Sequence, residues 1–398
     1  MSEISNHKQN QIKALNEVFF AILNKKDAIS VIKQNQTFID KTTPSDIVTI
    51  VHELVKQNIP SKELKSGINK FLNILHKTIK YYPYKKPEEN SFLDYCIRNN
   101  KELDKKLKAT RVFVKQISDT NIDFQLITNL INSFKEILEY EKYYLIKENV
   151  LFPKIEETLN DFFCVKVMWS FHDDIRRNLK KIIQLLDSNP INLKLFNRLV
   201  GDVYFNMYAI IFRDERILFP VIENAISKED LDSLFIPASE IGFPFYNQVN
   251  MVNNPILKKI DDSLIDLKTG SLTVEQILLI FNNLPVDITF VDENNQVKFF
   301  SSPKKRIFPR STSIIGRNVN NCHPHESVHI VEKIIDNFRT GKQDVASFWI
   351  NLKNEFILIK YFAIRDYKGI YKGVIEVTQE ISGIKLLEGE KRLLDWED

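Results

Sequence analysis

The chain has 398 residues, of which 43% are hydrophobic and 27% charged, as in a globular protein of roughly two to three domains. Only 10 glycines argue against a barrel, a sandwich or a phosphate-loop enzyme. The 55 basic and 52 acidic residues are well mixed and leave a net charge of +3, so no electrostatic footprint for nucleic acid stands out and no nucleic-acid partner is expected. We therefore predict a mainly α-helical protein.

The sequence contains no evident membrane span, signal peptide or paired-cysteine motif. No apolar stretch approaches the ~18 residues of a membrane span, and residues 1–10 lack the apolar segment of a signal peptide. We therefore expect a cytoplasmic protein that does not associate with membranes. Cys96, Cys164 and Cys322 form no Cys-x-x-Cys pair, which excludes a local cysteine zinc cluster and argues against a disulfide framework.

Residues 1–82 are predicted to form a small helical module. Apolar residues recur at helical spacing from residue 12 onwards, again after the cap at Thr43, and again after Pro60. The segment 81–87 contains two prolines within five residues and is predicted to be a linker.

Four long amphipathic segments follow. They cover roughly 90–117, 123–159, 166–187 and 192–226. Their lengths and short separators predict an up-down-up-down four-helix bundle over residues 88–228.

One phrase occurs twice in this region. Glu148–Glu156 and Glu215–Glu223 share the pattern Glu-x-x-Leu-Phe-Pro-x-Ile-Glu, and every shared residue is offset by 67 positions, from 148 to 215. The repeat indicates a duplicated helix pair and falls on the second and fourth predicted helices. Bundles that hold a metal pair place carboxylates on facing helices in this way.

Residues 229–271 are predicted to be a linker region, because turn-forming residues are frequent there. Within it we predict a connecting helix that runs through Ile256 and Leu264 to Leu267, and beyond it a helix over 273–283.

Residues 272–384 supply the strand signals, since β-branched and aromatic runs alternate with turn residues. The predicted strands form a five-stranded antiparallel sheet and cover 287–292, 297–300, 345–352, 356–364 and 373–378. Residues 385–398 are predicted to be a tail. The expected fold class is multidomain, mainly α, with a C-terminal α+β domain.

The repeat and the single histidine of the third segment resemble the hemerythrin-type cation-binding (HHE) domain, in which four helices hold two irons. This resemblance implies a metal-ligand set of Asp94, Glu148, His172, Asp214 and Glu215. Iron sites of the oxygen-carrying type need several imidazoles, whereas oxygen ligands alone favour Mg, Ca or Mn. Two interpretations stay open: a carboxylate-rich metal site, or exposed or salt-bridged carboxylates beside a helix-bend motif.

The order of two strands, helices and three strands resembles a PAS domain, and short phrases in that family's usual order support it: Leu284-Pro285, Val291-Asp292, Gly316-Arg317, His323-Pro324 and Gly341-Lys342. The resemblance implies a sensory and dimerising module that encloses a small ligand or cofactor between sheet and helices.

Nearly the whole chain also resembles the DUF438 proteins, a family without a settled activity. The phrases that carry this resemblance are Leu284–Asp292, Arg306–Arg310, Asn321–Pro324, Ser327–His329 and Glu388–Glu390. It implies an N-terminal DUF438 module, a hemerythrin-like bundle and a C-terminal PAS domain.

The C-terminal domain contains the densest group of possible cofactor ligands: Cys322, His323, His325 and His329. If Pro324 begins a helix, His325 and His329 share one face of it. Imidazole and thiolate groups can bind zinc, iron or heme. The alternatives are an ordinary turn that opens a PAS helix, and a pH or redox switch.

Aromatic residues are expected to line the interior of this domain, namely Phe348, Trp349, Tyr361 and Phe362. Adjacent residues of a strand face opposite sides, so only one of Phe348 and Trp349 reaches a ligand pocket. Three arginines, Arg306, Arg310 and Arg317, suggest either recognition of an anionic ligand or surface charge.

The sequence contains no nucleophile elbow, phosphate loop, dinucleotide fingerprint or His-Glu-x-x-His motif, so an enzymatic activity is not expected. The leading hypothesis is a sensory or regulatory protein that binds a small ligand or cofactor in its PAS domain and signals by contact with a protein partner or a second copy. The alternatives are a non-heme iron protein that responds to oxygen or nitric oxide, and an adaptor without a ligand. The cofactor would be iron in the bundle, or heme or another small ligand in the PAS domain.

Overall fold

The computed structural model describes residues 2–25, 27–57, 59–119, 124–159, 162, 164–188, 190–246, 264–352 and 354–390. The chain divides into two units. The first comprises residues 1–249 with 311–313 and 323–327, and the second comprises 250–310, 314–322 and 328–398.

The first unit is helical. Its α-helices are α1 (Ser2–Asn24), α2 (Ala28–Gln34), α3 (Gln36–Asp40), α4 (Pro44–Lys56), α5 (Ser61–Lys80), α6 (Phe92–Asp119), α7 (Phe124–Leu138), α8 (Glu141–Ile146), α9 (Phe152–Thr158), α10 (Cys164–Leu186), α11 (Leu193–Arg213), α12 (Phe219–Ala225), α13 (Lys228–Ser233) and α14 (Phe235–Ile241). Among the described residues, no helix is long and apolar enough to cross a membrane.

The start of α4 shows how local sequence fixes an element. The Thr43 hydroxyl accepts from the Asp46 N–H at 3.2 Å, and the Asp46 carboxylate accepts from the Thr43 N–H at 2.9 Å. This capping box satisfies two N–H groups at the helix end, and Pro44 occupies the first turn, where it costs no hydrogen bond.

Each copy of the repeated phrase begins in a π-helical segment. The two segments are Lys147–Leu151 and Asp214–Leu218. Each continues into an α-helix with proline near its start, Pro153 in α9 and Pro220 in α12. Proline lacks an N–H and clashes with the preceding turn, and a π turn accommodates this break without ending the helix.

The four predicted helical segments are present, although the second and fourth are interrupted by the π segments. Helix α6 packs against α7, α7 against α10, α10 against α11, and α11 against α6. One hydrophobic core includes buried residues from Leu15 to Phe243 and therefore runs through both predicted N-terminal domains. The boundary near residues 82–88 and the hemerythrin-like bundle stay predictions.

The predicted connecting helix is wrong at its C-terminal end, and its earlier part falls outside the described residues. Strand β1 (Leu264–Asp266) pairs with β2 (Ser271–Thr273) in a short antiparallel hairpin. The Leu267 N–H donates to the Gly270 carbonyl at 2.8 Å and closes the turn. A few apolar residues fit either a helical or a strand period, so the sequence pattern was ambiguous here.

Besides β1 and β2, the second unit contains α15 (Val274–Asn283), α16 (His325–Arg339) from residue 328 onwards, and five further strands: β3 (Asp287–Asp292), β4 (Val297–Phe300), β5 (Val345–Leu352), β6 (Glu355–Arg365) and β7 (Tyr371–Glu380). The strand order is β4-β3-β7-β6-β5, and every neighbouring pair is antiparallel. The five predicted strands are confirmed, each within two residues at either end.

One face of this sheet packs against α16. Val374 of β7 joins Ile335 and Phe338 of α16 in a buried cluster, with Tyr361 and Ala363 of β6 packed against it. We call this side the inner face.

Candidate functional site

The two copies of the repeat meet at a buried ion pair. The Lys147 ammonium donates to Asp214 Oδ1 at 2.6 Å, and both side chains are fully buried. The two residues are 67 positions apart, which is also the offset of the repeat, so they occupy equivalent positions at the start of each π segment. One copy thus contributes the cation and the other the anion.

His172 of α10 links this pair to Glu148. Its Nε2 lies 3.4 Å from Lys147 Nζ, and its Nδ1 lies 2.7 Å from Glu148 Oε1. An ammonium can only donate, so Nε2 accepts, and the ring proton on Nδ1 then donates to Glu148. The Tyr144 ring stacks on the imidazole with 4.1 Å between centroids, which fixes its plane.

Arg176, one turn further along α10, completes the group. It donates from Nη2 to Glu148 Oε2 at 2.7 Å and from Nη1 to Asp173 at 2.8 Å. We call Lys147, Glu148, His172, Arg176 and Asp214 the buried charge cluster. Its two cations balance its two carboxylates around a neutral imidazole.

Burial and charge pull the pKa values of this cluster in opposite directions. Burial lowers the pKa of Lys147 and raises the pKa of Asp214, and their mutual attraction opposes both shifts. Burial raises the pKa of Glu148 to about 7, against the pull of Arg176. Burial, reinforced by the neighbouring cations, holds the pKa of His172 well below its usual value. Glu148 can therefore exchange a proton near neutral pH while His172 stays neutral.

Two of the five predicted metal ligands lie elsewhere. Asp94 accepts from Arg98 at 2.7 Å and from the Asn90 N–H at 2.9 Å, at the start of α6. Glu215 accepts from Asn100 Nδ2 at 3.1 Å. The other three belong to the buried charge cluster. Among the described residues, no three His, Cys, Asp or Glu side chains form a group that could hold a metal ion.

Sequence reasoning missed several members of this region. Asn100 holds Glu215 much as His172 holds Glu148, and its Oδ1 accepts from Tyr140. Tyr143 donates to the second carboxylate oxygen of the ion pair at 3.2 Å. Lysine is almost never fully buried, so Lys147 attracts no attention by composition alone. Aligning the repeat at its offset would have placed that lysine opposite an aspartate.

The predicted cofactor ligands of the C-terminal domain differ in burial. Cys322 is buried, with its thiol 3.7 Å from the Asn318 carbonyl oxygen. His323 is half-buried, and His329 is exposed. His325 begins α16, one residue after Pro324, and its side chain lies outside the described residues.

Trp349 is 64% exposed, so the prediction that it lines the interior is wrong. Strand β5 lies at the edge of the sheet, and Trp349 is on the face opposite to the inner one. Its neighbour Phe348 is on the inner face, where its ring lies 6.0 Å from that of Tyr361, but it is 39% exposed, so the prediction that it lines the interior is also wrong. The prediction that the two rings face opposite sides is confirmed.

The inner face carries a polar group formed by Thr289, Arg310, Tyr361 and Glu376. Tyr361 pairs with Glu376, and Glu376 pairs with Thr289, so the three share one face. Burial and Glu376 raise the pKa of Tyr361, and Arg310 opposes this shift. Within the described part of the chain, the buried Arg310 Nε has no hydrogen-bond partner.

The alternative of surface charge is wrong for two of the three arginines. Arg317 is buried. The Arg306 side chain is 11% exposed, lies 3.7 Å from Asp287 and donates to the Phe308 carbonyl at 3.0 Å. The side chains of these two arginines therefore belong to the interior of the domain and not to its surface.

A protein-family model described as a PAS domain matches residues 277–382. Residues 277–382 form a PAS domain. This agrees with the PAS resemblance of the sequence, and the PAS domain suggests a sensory or signalling role. No curated protein matches the chain.

Three solved structures are each similar to about a third of the chain or less. A C-terminal domain from Streptococcus mutans is 32% identical, with a TM-score of 0.31, and the match covers 32% of this chain and 98% of that one. The PAS domain of a protein from Colwellia psychrerythraea is 16% identical, with a TM-score of 0.22 and coverage of 27% and 97%. A sensory box sensor histidine kinase from Vibrio cholerae is 14% identical, with a TM-score of 0.21 and coverage of 27% and 90%.

Proposed function

We propose that this is a sensory or regulatory protein whose PAS domain binds a small polar ligand and acts by contact with a protein partner or a second copy. The observation that carries the proposal is the PAS match over residues 277–382. The polar group on the inner face supports it, because it lies on the side of the sheet that packs against α16.

The chemistry of that group indicates the class of ligand. A buried N–H without an acceptor costs free energy, and a ligand oxygen placed beside Arg310 Nε would remove that cost. A guanidinium prefers a carboxylate or a phosphate. Glu376 accepts from Thr378 at 3.4 Å and retains acceptor capacity for a donor on the ligand. We therefore propose a small molecule that carries an acidic group and a hydrogen-bond donor.

The predicted cofactor set is less well supported. Among its described side chains, Cys322 is buried, whereas His329 and Trp349 are exposed. A heme held through the exposed pair would be open to water. Heme binding remains a prediction, and an absorption spectrum of the purified protein would show a Soret band if it is correct.

The experiment is to purify the full-length chain, release bound small molecules by denaturation and identify them by mass spectrometry. The recovered compound is then titrated while thermal unfolding is followed. At about 100 times its Kd, a ligand should stabilise the PAS domain by about 2.7 kcal/mol.

Arg310→Ala and Tyr361→Phe should each raise the Kd of the compound at least about tenfold, because each variant loses one hydrogen bond to a charged group. The thermal shift at a given ligand concentration should fall accordingly. Lys368→Ala, in the turn before β7, is the matched control and should bind normally. If no compound copurifies and no acidic metabolite shifts the transition, the proposed ligand is wrong. Sedimentation with and without ligand then tests whether binding changes self-association.

A further inference from the structure

We propose that the Lys147 ammonium is the built-in cation of the buried charge cluster: it occupies the position where Asp214 and His172 would hold a divalent metal, and it excludes that metal. The fold resemblance implies iron in this region, whereas the side chains present fit an ammonium. The proposal concerns the helical unit and is independent of the PAS ligand.

The side chains of the cluster are arranged as around a metal ion, but the Lys147 ammonium lies at the centre. Metal-bound histidines almost always donate their second ring N–H to a carboxylate, a backbone carbonyl or a water, which orients the ring. His172 does this with Glu148 at 2.7 Å, and its other nitrogen points at Lys147 Nζ, 3.4 Å away. Asp214 Oδ1 approaches the same Nζ at 2.6 Å. An imidazole, a carboxylate and a supporting carboxylate thus surround one positive charge.

The distances suit an ammonium and not a metal. Zinc and similar ions need ligands at about 2.0–2.2 Å, and a second cation beside Lys147 would be repelled across a low-dielectric interior. The ligands that could compensate are engaged elsewhere, because Asp94 pairs with Arg98 and Glu215 with Asn100. Lys147 and Arg176 already supply two positive charges to the cluster, and the buried Arg213 adds a third beside Asp214.

The first test uses the wild-type chain. Full-length protein purified without oxygen and without chelators should contain less than about one tenth of an equivalent of iron, manganese or zinc. Adding Co²⁺ should produce no absorption band and no change in the unfolding temperature. About one equivalent of tightly held metal per chain would overturn the proposal.

The second test removes the ammonium. Lys147→Ala leaves Asp214 buried without its counter-charge, so the variant should unfold at lower temperature and regain stability on addition of Co²⁺ or Zn²⁺. It should bind roughly one equivalent of Co²⁺ and show the visible absorption of a protein-bound site. Lys142→Ala, on the exposed side of α8, is the matched control and should show neither effect.

Two double variants keep the test decisive if Lys147→Ala is poorly folded. Lys147→Ala with Asp214→Asn removes both members of the ion pair, so it should be more stable than Lys147→Ala and should not respond to Co²⁺. Lys147→Ala with His172→Ala keeps the carboxylate and should bind Co²⁺ at least about tenfold more weakly than Lys147→Ala. The proposal is wrong if Lys147→Ala with Asp214→Asn binds Co²⁺ as tightly as Lys147→Ala does. It is also wrong if neither Co²⁺ nor Zn²⁺ restores any stability to Lys147→Ala.

Discussion

Replacing Glu148 by glutamine should change how the stability of the helical unit depends on pH. Burial raises the pKa of Glu148 from 4.5 to about 7, so the folded protein retains a proton that the unfolded chain has already released. The stability contributed by this group is complete below pH 4.5 and is lost as the pH rises through 7. The difference, 7 minus 4.5, corresponds to about 3 kcal/mol at 1.36 kcal/mol per pKa unit.

The assay is urea unfolding of wild type and Glu148→Gln between about pH 4.5 and pH 8, followed by far-ultraviolet circular dichroism, which reports mainly the helices. The stability of wild type relative to the variant should fall by about 3 kcal/mol across this range. His172 acts with the opposite sign, because it stays neutral when folded and loses stability below its usual pKa. Its burial penalty is present in both proteins and cancels in the difference. Glu157→Gln, at a 70% exposed side chain, is the control.

A flat difference, within about 1 kcal/mol, would refute this reasoning. It would mean that the two donors on Glu148, Arg176 at 2.7 Å and His172 Nδ1 at 2.7 Å, offset the cost of burying its charge. Hydrogen exchange of peptides from α10 would show whether the effect is local to the cluster, because opening near His172 should then follow the same pH dependence.

Three further predictions concern stability. Asp214→Asn should lower the free energy of unfolding in urea by about 3–5 kcal/mol, because it leaves the buried Lys147 ammonium unpaired. Adding Lys147→Met should recover most of that loss, and equal instability of the single and double variants would contradict the prediction. Gly373→Ala should destabilise the PAS domain by about 3 kcal/mol or more in thermal unfolding, because Gly373 has a φ of 136° and an added Cβ would collide with the Val291 carbonyl. Gly383→Ala is the control and should change stability by less than about 0.5 kcal/mol, because the space around Gly383 is open. Thr43→Ala should cost about 1 kcal/mol through loss of the capping box of α4, and Thr49→Ala in the same helix should cost clearly less; equal losses would show that capping is not the cause.

The sheet of the PAS domain was predictable because its signals are local. Strands β3, β4 and β5 begin and end at the predicted residues, since alternation and turn residues mark each boundary. Whether a strand is covered depends on its neighbours, which the local pattern does not contain. The local pattern therefore predicts an interior Trp349, although β5 lies at the edge of the sheet and Trp349 is exposed.

The buried charge cluster was only partly predictable for the same physical reason. Glu148, His172 and Asp214 were singled out by their residue types and by the repeat. Their partners were not, because lysine and arginine are surface residues in most proteins. The pairing of Lys147 with Asp214 joins positions 67 apart, and its existence depends on how two helices face each other.

The opposite charges at equivalent positions of the repeat make the two halves of the helical unit complementary and unequal. A protein assembled from two identical copies of the first half would bury two ammonium groups side by side, and two copies of the second half would bury two carboxylates. Either arrangement would leave like charges in an interior that screens them poorly. A fragment that contains only one half therefore has no symmetrical way to rebuild this core, and each half depends on the other for its neutrality.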